Sequence, residues 1–143
     1  MIELLVVIAI IGILSAVVLA SLNGARTKGA DTVIKADLTQ VAREAEIYYG
    51  NNNESYGTFA QSTCPNATGG GTDVFRNDLV MVKIIAHAVA NGGNGSSCSS
   101  VSGSYATAIG LKTSGLSWCA DNTGVVKQFA GTPDLAITGN KCN

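Results

Sequence analysis

IELLVVIAIIGILSAVVLASL, residues 2–22, is an apolar run carrying a single charge, Glu3. From Leu4 through Leu22 every residue is apolar, Gly or Ser. As a helix rising about 1.5 Å per residue, that stretch covers roughly 28 Å, most of a bilayer's hydrocarbon core of about 30 Å. Such a segment needs lipid or further copies of itself. Glu3 separates the two surroundings. An ionised carboxylate in hydrocarbon costs on the order of 3 kcal/mol, so it requires either the interface or a cation. At an interface Glu3 simply lies among headgroups. Where such helices pack side by side, the nearest cation in sequence is an N-terminal amine, its own or a neighbour's. The second contact sets the register of an array.

A cleaved signal peptide fits poorly, because the run lacks a basic n-region, carries an acid at its start and exceeds an h-region of about 7–15 residues. Instead, Ile2-Glu3-Leu4-Leu5-Val6-Val7-Ile8-Ala9-Ile10-Ile11-Gly12-Ile13-Leu14 closely resembles the N-terminal segment of type IV pilins and of the related pseudopilins of type II secretion, its one acid included. The resemblance fades after Thr27. It implies a long helix whose outer half packs under a small sheet, in a subunit held in the cytoplasmic membrane before it joins a homopolymeric filament. It also implies a prepilin peptidase, pilus assembly machinery and a methylated N-terminal amine. Two features depart from the family pattern. Family precursors carry a short basic leader ending in Gly, then Phe and Thr; here Met1 falls where the family has Leu, so a leader and two mature residues are expected to precede the sequence seen. Ala20 stands where many members carry a helix-breaking proline.

Beyond this run, the 143-residue chain leaves enough length for one compact domain with a modest core. A net charge of -1 and 13% charged residues argue against nucleic-acid binding. Cys64, Cys98, Cys119 and Cys142 form no CxxC pair and lack the histidines of a zinc site. In a Gly/Ser/Asn-rich exported domain they read as disulfides. Of the three pairings open to them, Cys64 with Cys98 and Cys119 with Cys142 is preferred, because each closes one local loop.

Residues 23–29, NGARTKG, are polar and contain Gly24 and Gly29, each costing roughly 1 kcal/mol in a helix interior relative to Ala. With Gly12 these are the helix's weak points, and local melting in a fibre is expected at residues 12–15 or 23–29. Arg26 and Lys28 fall just past the membrane. From Ala30 onward, Ile34, Leu38, Val41, Ala45 and Tyr48 recur at alternating steps of four and three, placing them on one helical face. One helix of about 70 Å therefore runs to about Tyr49, stopped by Gly50-Asn51-Asn52-Asn53 with a residue suited to a left-handed cap. Residues 1–29 form a hydrophobic N-terminal helix serving as membrane anchor and filament core, and residues 30–143 form a head. Leu4, Leu5, Val7, Ile8, Ile11, Gly12 and Leu14 are the expected filament-core contacts, with Glu3 setting register.

Residues 54–72 read as a loop anchored by Tyr56 and Phe59. Asn77-Asp78 caps a second helix over residues 79–90, with Leu79, Val82, Ile85, Ala86 and Val89 on its buried side. His87 faces away as a solvated surface residue. Residues 91–103 read as a Gly/Ser/Asn loop. Strands are expected at residues 104–113, 116–120 and 125–129, the last two joined by the turn Asp121-Asn122-Thr123-Gly124. The fold class is α+β: a long N-terminal helix against an antiparallel sheet of about three strands, with a short second helix and a disulfide-stapled C-terminal region.

Three tripeptides, Asn53-Glu54-Ser55, Asn66-Ala67-Thr68 and Asn94-Gly95-Ser96, match the N-glycosylation pattern, as chance allows in so Asn/Ser/Thr-rich a chain. Some pseudopilins hold calcium in a C-terminal loop, where this chain has Asp121, Asn122 and Asp134, but turn chemistry accounts for the same residues. Neither a cofactor nor a metal is expected, and no Ser/His/Asp set, phosphate-cradling loop or pair of acids marks an enzyme. With only Tyr48 and Tyr49 as aromatics in the helix, electron transport is not argued. The reading is a structural subunit, the major pilin of a type IV pilus, located in an extracellular filament. Its alternatives are a pseudopilin of type II secretion, less suited to a cysteine-stapled, Ser/Gly/Thr-rich surface, and a monomeric membrane-tethered binding domain, which has no use for an acid at Glu3.

Overall fold

The computed structural model describes residues 2–67 and 69–143. Met1 and Thr68 lie outside the described residues, and with them the amine expected at the chain start and the last position of the Asn66-Ala67-Thr68 tripeptide; of Ala20 only the backbone is described.

Helix α1, Ile2–Asn51, is a continuous 50-residue helix about 75 Å long. Its second half is amphipathic. Ile34, Leu38, Val41, Ala45 and Tyr48 are all at most 4% exposed and form the floor of the core. The helix does not stop at Gly50. It continues to Asn51, and the left-handed residues are Asn53 (φ 56°) and Glu54 (φ 54°). Asparagine tolerates that conformation through local hydrogen bonding. Here the Asn52 and Glu54 amides donate to the Tyr49 carbonyl, and Asn52 Nδ2 donates to the Tyr48 carbonyl at 2.8 Å.

Two short helices follow. In α2, Val74–Asn77, the Asp73 side chain caps the first turn by accepting from the Phe75 amide, and its other oxygen takes the Arg76 Nε–H at 2.7 Å. In α3, Leu79–Asn91, Asp78 Oδ1 accepts from the Met81 amide at 2.8 Å, a cap worth about 1 kcal/mol. The buried face of α3 differs from the expected one. Met81, Val82, Ile84, Ile85 and Ala88 are buried, whereas Leu79 and Val89 are exposed and Ala86 is half-buried. In so apolar a helix several stripes satisfy the same periodicity, and docking along α1 selects the stripe through Met81 and Ala88.

The main sheet is an antiparallel meander of five strands in chain order: β1 Phe59–Ser62, β2 Ser96–Val101, β3 Ser104–Gly110, β4 Leu116–Asp121 and β5 Val126–Ala130. Two of these, β1 and β2, fall where loops were expected. The sequence of β2, SSCSSV, shows no apolar alternation because both of its faces are covered: Ser97 and Ser99 are as buried as Cys98 and Ser100. Tyr105, Ile109 and Ala120 face α1 and α3, while Ala106, Ala108 and Cys119 face the opposite side.

The C-terminal segment covers that opposite side. A 3₁₀ turn, Pro133–Ala136, leads into a two-stranded ribbon of β6, Ile137–Thr138, and β7, Lys141–Cys142, which packs Ala136 and Ile137 on Ala106 and Ala108. The disulfides divide between the two faces. Cys64–Cys98 pins the segment before α2 onto the helix face, with Thr107 Oγ1 3.2 Å from Cys98 Sγ. Cys119–Cys142 pins the terminal ribbon onto the other. Closing loops of 34 and 23 residues, each bond restricts the unfolded chain by about 3–4 kcal/mol.

Candidate functional site

The first half of α1 is the part of the molecule its own fold leaves unused. Every large apolar residue from Ile2 through Leu19 is 51–78% exposed, and the most apolar 18-residue window of the helix is 0% buried. Leu4, Leu5, Val7, Ile8, Ile11 and Leu14 all belong to this surface. An exposed apolar area of that size marks a surface covered by lipid or by another chain. The helix is long and apolar enough to cross a membrane. Glu3 lies at its N-terminal end, exposed, and among the described residues it makes no hydrogen bond or ion pair.

Gly12, Gly24 and Gly29 sit inside this continuous helix with right-handed geometry. A Cβ added at any of the three meets nothing within 4 Å. No contact among the described residues therefore requires glycine there. Thr27 Oγ1 donates back to the Asn23 carbonyl at 3.1 Å and Thr32 Oγ1 to the Lys28 carbonyl at 2.9 Å, bonds that compete with the helix ladder on either side of Gly29.

Where the stalk meets the head, Asp31 supplies a joint. It is 8% exposed, and its carboxylate accepts from the Lys112 amide at 2.6 Å, the Thr113 amide at 3.2 Å and the Thr113 hydroxyl. One acid in α1 thus fixes the turn between β3 and β4. The hint in sequence is that Asp31 lies three residues before Ile34, one step back on the same helical face. A second tie is at the surface: His87 Nδ1 lies 2.8 Å from Asp37 Oδ2, so the exposed histidine has an acid beside it that sequence spacing did not bring there.

Asp121 is turned inward at 2% exposure. Its Oδ1 accepts from the Thr123 amide and hydroxyl, and its Oδ2 from the Cys142 amide at 2.9 Å. Burial works against its charge, but the Thr123 hydroxyl and the Cys142, Thr123 and Val125 amides together hold the carboxyl below the usual aspartate range. Both oxygens are therefore met by hydrogen-bond donors, the chemistry of a turn and tail lock rather than of a calcium shell. Asn122 Nδ2 donates to the Gly103 carbonyl, and Asp134 contributes its main-chain carbonyl to Gln61. Among the described residues no group of three His, Cys, Asp or Glu side chains could hold a metal ion. Asn53, Asn66 and Asn94 of the three glycosylation-like tripeptides are all exposed.

No protein-family profile matches the chain. No solved structure matches it. Among curated proteins, the chain is 47% identical over 53 residues to the type IV wide pilus major component PilA4 of Thermus thermophilus. The aligned stretch is 37% of this chain and 40% of that relative, so the chain spans less than half of the relative's length in the match. That likeness, with a 50-residue N-terminal helix whose apolar half is bare and two disulfides in an α+β head, makes this chain one that resembles the type IV pilins.

Proposed function

We propose that this chain is the structural subunit, and specifically the major pilin, of a type IV pilus, with no enzymatic role. The observation that carries the reading is the bare apolar half of α1, which has no packing partner among the described residues. In the membrane, lipid covers it; in a filament, the same surface of neighbouring subunits does. Exchanging lipid for neighbouring helices is roughly neutral in hydrophobic terms, so side-chain packing through Leu4, Leu5, Val7, Ile8, Ile11, Gly12 and Leu14 decides the association. Glu3 adds a penalty for every register that leaves its carboxylate without a cation, and a neighbour's N-terminal amine relieves it. A contact of this kind joins two different patches and does not close, which makes a fibre and not a ring. Residues 1–29 then serve as anchor and filament core, and residues 30–143 as the head on the outside. A prepilin peptidase and an assembly machinery would process and extract the subunit, and the filament would stand outside the cell.

Replacing Glu3 with Ala tests the register role. The variant subunit is expected to fold, keep its disulfides and remain in the membrane fraction, while filaments disappear from micrographs of sheared cell-surface material. Filament yield equal to wild type would refute the role. Short periplasmic fibres in place of surface filaments would identify a secretion pseudopilin, and detergent-solubilised monomers with no tendency to polymerise would identify a tethered domain.

A further inference from the structure

A cleft of about 410 Å³ lies at the neck, between the end of the apolar stalk and the base of the head. Asn23, Arg26 and Thr27 line it from α1, Asn91 from the end of α3, and Lys112 from the turn between β3 and β4. Its lining contains two cations and no acid. Among the described residues neither Arg26 nor Lys112 forms an ion pair. The nearest acid in α1, Asp31, has its carboxylate committed to the Lys112 and Thr113 amides and the Thr113 hydroxyl. Those same bonds fix the backbone of Lys112, so the fold, and not proximity in sequence, places it in the same cleft as Arg26. At the end of α3 the Gly92 amide caps the Ala88 and Val89 carbonyls, and Asn91 Nδ2 donates to the His87 carbonyl.

The depth of this cleft is set by the stalk. Arg26 follows Leu22 by four residues, about 6 Å along the helix axis, which is the distance from the hydrocarbon edge into the headgroup layer. We propose that the neck cleft seats the phosphate of an anionic membrane phospholipid while the stalk lies in the bilayer. Arg26 meets two phosphate oxygens through its planar fork, Lys112 supplies a second positive charge, and the Asn23 amide is within the same lining. The inference rests on the membrane stage of the function proposed above and is independent of polymerisation. Arg26 would be membrane-proximal on any such helix; Lys112 is the residue whose role depends on the folded head.

The test uses the full chain reconstituted into vesicles of phosphatidylcholine, with and without phosphatidylglycerol, and native mass spectrometry of the detergent-solubilised chain with each lipid and with inorganic phosphate. Wild type is expected to retain one phosphatidylglycerol about tenfold more tightly than phosphatidylcholine or inorganic phosphate. Lys112→Gln and Arg26→Gln are each expected to remove most of that preference, Lys112→Arg to keep it, and Lys127→Gln, an equal charge loss on exposed β5, to leave it intact. An equal loss in Lys127→Gln would reduce the effect to general charge attraction and overturn the site. Retention of inorganic phosphate as tight as that of phosphatidylglycerol would overturn the lipid assignment. A chain that enters both vesicles but shows no lipid preference in any form overturns the site alone; one that enters neither overturns the membrane stage and the site with it.

Discussion

Asp31 and Asp121 are the two residues on which the head's attachments turn, and both act as acceptors for main-chain donors. Asp31 joins α1 to the turn before β4. Asp31→Ala leaves the Lys112 and Thr113 amides without their partner, and the expected destabilisation is about 2 kcal/mol, read from denaturant unfolding, with faster hydrogen exchange at those two amides. An unchanged midpoint would show that solvent replaces the carboxylate without loss. Asp121 ties the β4–β5 turn to Cys142. Its folded carboxyl titrates below the usual aspartate value of about 3.9, so the stability it contributes is present above that pH and is lost as pH falls through the lower folded value. The melting temperature is therefore expected to decline below about pH 4, and Asp121→Asn to flatten that part of the profile. A wild-type slope retained in Asp121→Asn would assign the acid sensitivity to other carboxylates. Neither residue was legible as a lock: Asp31 falls on the same helical face as Ile34 and Leu38, but both acids meet main-chain donors from distant parts of the chain.

At the level of elements, legibility followed periodicity. The stripe from Ile34 to Tyr48 and the Asp78 cap could be read directly, because a helical face and a capping side chain are local patterns. The strand through Tyr105 and Ile109 was legible for the same reason, but β2 was not. A strand buried on both faces among small side chains looks like a serine-rich loop until the C-terminal ribbon that covers its second face is in place. The end of α1 falls within the expected Gly50 to Asn53 stretch, with Asn53 and Glu54, and not Gly50, in the left-handed conformation. The stalk glycines belong to this scale too. In the subunit, Gly12→Ala and Gly24→Ala meet no clash and are expected to raise helix stability by up to about 1 kcal/mol, measured by thermal melting in detergent. Filament yield is expected to fall in the same variants if close helix approach or local melting at these points serves assembly. Unchanged yield would leave the glycines without a role in the fibre.

For the whole molecule, the division is between a head that buries an apolar core of its own and a stalk that buries none of its apolar surface. The head holds its core between α1, α3 and a sheet covered on both faces, and it is stapled once on each face. The stalk extends from it as a continuous helix with an acid at its far end. The apolar pattern and the position of Glu3 were both plain in the sequence, because a membrane-length run requires only composition and length to recognise. What surrounds the run is a property of the assembly. A helical reconstruction of the purified filament at side-chain resolution measures it directly. The stalks should form a central bundle, with Leu4 through Leu14 against neighbouring helices and each Glu3 carboxylate within hydrogen-bond reach of an adjacent subunit's N-terminal amine; stalks lying on the outside of the fibre, or Glu3 facing solvent with no cation near it, would contradict the proposed assembly.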